Sequence, residues 1–137
     1  MNVTIQVTAE QTAEGETAAI TQTVTGELTA AENGWRLCYD ETGDLKGTHT
    51  VLSEQDGMIR LRRTGTVSSD CVFEQGKRHA MRYDIGCAIL SMSLFTRKIQ
   101  TAMKPDGGTV ELDYLLYTDG NLTSRNKMKI SVIQYTC

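Results

Sequence analysis

The chain has 137 residues, a formal net charge of −3, 39% apolar and 23% charged side chains, and one proline, Pro105. That length favours one domain over residues 1–137 with a self-sufficient core, and the composition, ordinary for a globular protein, argues against a disordered chain. No apolar run approaches the roughly 20 residues of a membrane-crossing helix. The opening Met1-Asn2-Val3-Thr4-Ile5-Gln6 has no basic stretch and no apolar stretch of a secretion signal, so a cytoplasmic, non-membrane protein is expected.

Period two dominates from the start. Val3, Ile5 and Val7 alternate with Thr4, Gln6 and Thr8, and Ile20, Val24 and Leu28 share one parity against Thr21, Thr23 and Thr25. Between these runs, Glu14 to Thr17 reads as a loop. Trp35, Leu37 and Tyr39 alternate with Arg36, Cys38 and Asp40, and Ile59 and Leu61 with Arg60 and Arg62. Met81, Tyr83 and Ile85 follow, then Val110, Leu112, Tyr114 and Leu116, then Met128, Ile130 and Val132. Successive strand residues point to opposite faces, so each run has one buried and one wet face. Threonine suits strands and sits poorly in helices.

The stretch holding Met92, Phe95, Ile99 and Met103 has helical spacing, yet Leu90, Met92 and Leu94 also alternate with Ser91 and Ser93. It is read as two strand segments bent near Thr96–Arg97. Turn signals separate the runs: Asn33-Gly34, Thr42-Gly43-Asp44, Asp56-Gly57, Gln75-Gly76-Lys77, Pro105-Asp106-Gly107-Gly108 and Asp119-Gly120-Asn121. Connections this short join antiparallel neighbours, because parallel strands need long crossovers. The expected fold is all-β, an antiparallel meander of about 8–10 strands closed into a small barrel, since closure removes exposed sheet edges. A two-sheet sandwich is the alternative.

The four cysteines, Cys38, Cys71, Cys87 and Cys137, form no C-x-x-C pair and are expected as free thiols in a reducing compartment. His49 and His79 lack partners at ligand spacing, so no metal and no cofactor are expected. Residues 1–59 hold two bases against ten acids, and residues 60–137 hold twelve against seven. The asymmetry is read as acidic strands beside basic strands on the outer surface. The negative total argues against a nucleic-acid partner.

The run Leu37-x-Tyr39-x-Glu41, then Thr48-x-Thr50, then Ile59-x-Leu61-x-Arg63-x-Gly65 carries a resemblance. So do Met81-x-Tyr83-x-x-Gly86, Leu90-x-Met92, Leu94-x-Thr96-x-x-Ile99 and Leu112-x-Tyr114-x-Leu116. In order and spacing this set resembles the YwiB-like family of uncharacterised bacterial proteins over most of the chain. The resemblance implies a lipocalin-like (calycin-type) β-barrel in the bacterial cytoplasm and brings no catalytic residues. The chain departs from the pattern at Asp84-Ile85-Gly86-Cys87, where a threonine-containing stretch is more usual.

Parity also yields a candidate site. Tyr39 and Glu41 share the face of Leu37, Arg63 that of Leu61, Tyr83 that of Met81, and Tyr114 that of Leu112. If these faces point inward, a carboxylate, a guanidinium and three phenols enter the barrel, where a small ligand fits. Arg63 suits an acid group. Glu41 and Arg63 either pair with each other, or serve a ligand that displaces the pair. The expected function is a non-enzymatic module binding a small anionic or amphipathic molecule. The alternatives are an interaction protein using its outer face, perhaps through Arg60 and Arg62 or as a homodimer, and an unrecognised enzyme.

Overall fold

The computed structural model describes residues 1–134, so Cys137 lies outside the described residues. Every alternating run forms a strand, although Ile85 falls just past the end of its own. The order is β1 (Asn2–Ala13), β2 (Glu16–Ala31), β3 (Gly34–Asp40), β4 (Thr48–Gln55) and β5 (Met58–Gly65). It continues through β6 (Ser68–Phe73), β7 (Arg78–Asp84), β8 (Ile89–Lys104), β9 (Gly107–Thr118) and β10 (Asn121–Gln134), with one short 3-10 turn at Gly43–Leu45. Each strand pairs antiparallel with the next, and β1 also pairs with β10 from Val3↔Gln134 to Thr12↔Arg125. The sheet is therefore a closed barrel of ten strands, and the sandwich alternative falls.

Two local expectations meet their outcomes here. β8 is continuous, but its register against β9 shifts between Thr96 and Lys98, so the expected bend is a bulge at Arg97. The expected loop from Glu14 to Thr17 shrinks to Glu14-Gly15, because both adopt positive φ (52° and 79°). That closes a two-residue hairpin turn and leaves Glu16 and Thr17 paired with Ala13 and Thr12.

The connections alternate between the barrel ends. Glu14-Gly15 and the β3–β4, β5–β6, β7–β8 and β9–β10 turns lie at one end, called upper here. The remaining turns and Met1 lie at the lower end. The core follows this axis. Trp35, Leu37, Leu52, Ile59, Phe73, Val110, Ile130 and Val132 fill the lower half and are buried. Glu41, Thr48, Ser69, Ser124 and Asn126, also buried, line the upper half. Leu90, on the inward face of β8 at this end, is still 40% exposed, so the upper end is open to solvent. Polar groups collect where water or a solute reaches them, and the apolar plug supplies the burial that holds the barrel closed.

On the outside, Arg60 donates twice to Asp70 (2.9 and 2.5 Å), Lys129 lies 3.8 Å from Glu111 and Arg97 4.0 Å from Asp113. These pairs fall within the second half of the chain, so the basic half largely supplies its own acids. Glu10 faces Lys127 across β1 and β10 as the expected contact between halves.

Candidate functional site

Register brings distant residues into one interior row. Val3, Gly26, Tyr39, Thr50, Arg63, Ser69, Tyr83 and Leu90 stand opposite one another in turn from β1 through β8. Gly26 is required in that row, because a Cβ there would meet the Cys38 carbonyl, the Ile5 side chain and Tyr39.

Against the β5–β9 wall lies an interior cavity of about 380 Å3, whose lining includes Arg63, Ser69, Cys71, Tyr83 and Tyr114. Leu61, Phe73, Met81, Leu90, Met92, Leu94 and Leu116 give it an apolar side, and Gln11 lies at its edge. A size of a few hundred cubic ångströms with a few converging polar groups suits a small organic molecule.

The structure brings three of the five expected site residues, Arg63, Tyr83 and Tyr114, into this cavity. Tyr39 and Glu41 do not line it, although both are buried on the inward face beside it. The expected Glu41–Arg63 pair is absent: among the described residues no ion pair joins them. Glu41 Oε1 instead accepts from Gln22 Nε2 (3.2 Å), and Gln22 Oε1 accepts from Thr42 Oγ1 (2.8 Å). This relay ties β2 to the end of β3.

Several groups here remain unmet. Among the described residues, Glu41 Oε2, Thr50 Oγ1 and Arg63 Nε are buried without a hydrogen-bond partner, as is Thr96 Oγ1, opposite Tyr114. A fifth such atom, Trp35 Nε1, lies in the lower half. Each unmet group costs about 1–3 kcal/mol. Burial, reinforced by Glu41 and opposed by Arg63, pushes the Tyr39 phenol above its ordinary value. Burial also pushes the Cys71 thiol and the Tyr114 phenol up to about 12 each, with Arg63 opposing both shifts. One guanidinium thus acts on three inward groups, all neutral near pH 7.

Thr50, Ser69 and Gln22 escaped the sequence reading. Thr50 shares the parity of Leu52, so the alternation that found Arg63 also points to it. The relay from Glu41 to Gln22 left no such signal, because it depends on how β2 and β3 lie in space. His49 and His79 each have a carboxylate neighbour at 2.9 Å, Asp40 and Glu74. No group of three His, Cys, Asp or Glu side chains able to hold a metal occurs among the described residues.

Fold and interior together define a closed ten-stranded antiparallel barrel with an apolar plug below and a polar, partly open half above. The chain belongs to the family described as Domain of unknown function (DUF1934), which matches residues 5–130. It is similar to the uncharacterized beta-barrel protein YwiB of Bacillus subtilis (strain 168), with 22% identity over 129 residues, 94% of this chain and 91% of that protein. The crystal structure of the ywiB protein from Bacillus subtilis superimposes with a TM-score of 0.89 at 21% identity, covering 98% of this chain and 92% of that one. That likeness establishes the fold.

Proposed function

We propose that this protein is a non-enzymatic binding module that holds a small anionic or amphipathic molecule in the upper half of its barrel. The observation that carries the reading is Arg63. Its side chain lines the cavity, its Nε is buried without a partner, and the carboxylate expected to neutralise it is tied to Gln22. A guanidinium in this position is a receptor for an acid group. Tyr83, Tyr114 and Ser69 offer hydroxyls beside it, and the Met81–Leu94 side offers apolar contact. Tyr39, Glu41 and Thr50 shape the polar end without lining the cavity.

The outer face is threonine-rich and charged, the inverse of a membrane barrel with its apolar outer band, which supports a water-surrounded protein. Among the described residues, Cys38, Cys71 and Cys87 stand as free thiols, in keeping with a cytoplasmic setting.

The test compares masses under native and denaturing conditions for the wild type and Arg63→Ala. The expected result is an added mass on the native wild type alone. The same added mass on both proteins would remove Arg63 from the site, and no added mass on either would overturn the reading.

A second reading, contact with another protein, draws support from the β7–β8 tip, where Ile85, Ile89 and Leu90 are each at least 40% exposed. It does not favour Arg60, whose guanidinium is taken by Asp70. Sizing at several concentrations, with Ile85→Ser beside the wild type, tests self-association through that tip.

A further inference from the structure

Closure of the barrel leaves a length of β2 uncovered. β2 pairs with β1 from Ala13↔Glu16 to Asn2↔Glu27 without a register shift. Its other edge meets β3 only from Gly26↔Tyr39 to Ala31↔Gly34. From Thr25 back to Glu16, no strand among the described residues lies beside that edge.

The turn sets which main-chain groups the edge presents. Glu14-Gly15 is a two-residue turn, so Ala13 and Glu16 exchange both of their main-chain hydrogen bonds, and Ala18 and Ile20 bond to β1 in the same way. Thr17, Ala19 and Thr21 therefore aim N–H and C=O away from β1. All three residues are exposed, and no other main-chain group among the described residues meets them. The free stretch ends at Gln22, where the Glu41 and Thr42 side chains bond the Gln22 amide and the chain leaving β3 stands against β2.

Exposed edges are ordinarily guarded by charge, proline or a bulge. Thr17 to Thr25 holds no charged residue and no proline, and its threonines and Ile20 favour extended chain. Ile20 shares the face of buried Val24 but sits at a height that β3 does not reach. It is 67% exposed, more than any other large apolar side chain among the described residues.

We propose that this edge pairs antiparallel with the same edge of a second copy of the chain, giving a two-fold symmetric dimer. The segment matches itself. The register that joins the outward-aimed groups and stays between Glu16 and Gln22 is centred on Ala19. Ala19 then faces the partner's Ala19, Thr17 the partner's Thr21, Ala18 the partner's Ile20, and Glu16 the partner's Gln22. Each Ile20 falls over a small Ala18, and no like charges stand opposite each other. Each contact recurs with the two chains exchanged, as a two-fold axis requires. Main-chain bonds supply the affinity, and the shortness of the edge makes the dimer concentration-dependent. The proposal is independent of the interior site and of the β7–β8 tip.

The experiment is sedimentation velocity on the full chain over a wide concentration series. The wild type should pass from monomer to dimer as concentration rises. Ala19→Lys and Ala19→Glu, both at an exposed position, should each weaken the dimer about tenfold or more, because each sets like charges opposite each other. An equal mixture of the two variants should restore it, which also shows that both are folded. Ala19→Pro removes the central outward N–H without touching the β1 ladder and should abolish the dimer. Ile85→Ser should leave it intact.

A wild type that stays monomeric at every concentration overturns the proposal and leaves the edge to a strand of another protein. A dimer that survives both charged variants, or is not restored in their mixture, overturns the pairing at Ala19. A dimer lost in Ile85→Ser moves the contact to the β7–β8 tip and overturns it as well.

Discussion

Thr50 on β4 and Arg63 on β5 stand directly opposite each other, and each buries a polar atom, Oγ1 and Nε, that no group among the described residues meets. Two unmet groups side by side are a cost to the fold, retained in the half of the barrel that holds the cavity.

Thr50→Val keeps shape and removes the unmet hydroxyl. It should raise the unfolding free energy by about 1 kcal/mol in the ligand-free protein, read from urea denaturation. A loss of stability would show that the hydroxyl is met and that Thr50 belongs to the structural network.

The two halves of the core should respond differently to truncation. Phe73 is fully buried and meets the Tyr114 ring edge-on at 5.0 Å. Phe73→Ala should cost about 3–5 kcal/mol. Leu90→Ala, at the open end, should stay within about 1 kcal/mol of the wild type. Equal costs at the two sites would contradict the division of the interior into a plug and an open half.

Alkaline stability follows from the buried acids. Cys71 and Tyr114 ionise ordinarily at 9.0 and 10.0, and burial pushes both up to about 12 in the folded chain. Below pH 9 both states keep these protons and the contribution is complete. As pH rises from about 9 to about 12 the unfolded chain releases them first, so stability falls. Tyr114→Phe preserves the contact with Phe73 and should flatten that fall, measured by denaturation at stepped pH. An unchanged slope would place the Tyr114 hydroxyl in water.

The thiols should separate by reactivity. Cys87 is exposed at the β7–β8 tip, whereas Cys71 is buried and its thiolate is disfavoured. Brief alkylation near neutral pH followed by peptide mapping should label Cys87 and spare Cys71 until denaturant is added. Labelling of Cys71 in the native chain would mean that the cavity admits the reagent.

Strand identity and facing are properties of the chain itself. The alternation of Trp35, Leu37 and Tyr39, or of Ile59, Leu61 and Arg63, is written in local order, because a two-residue period sends side chains to fixed sides of any strand. The inward placement of Arg63, Tyr83 and Tyr114 is therefore legible in the sequence, as are the turns at Asp56-Gly57 and Asp119-Gly120, whose residues take the positive φ that short hairpins need. Parity does not say how far one strand is staggered along its neighbour or where the chain abandons a ladder. Those depend on the closure of ten strands at once. Only the tertiary structure decided that Glu41 goes to Gln22 and leaves Arg63 without a carboxylate. It alone decided that β6 and β7 part after Asp70 and Arg82. Partner choice and wall continuity are set by the spacing of strands far apart in sequence, and no local pattern of residues encodes that spacing.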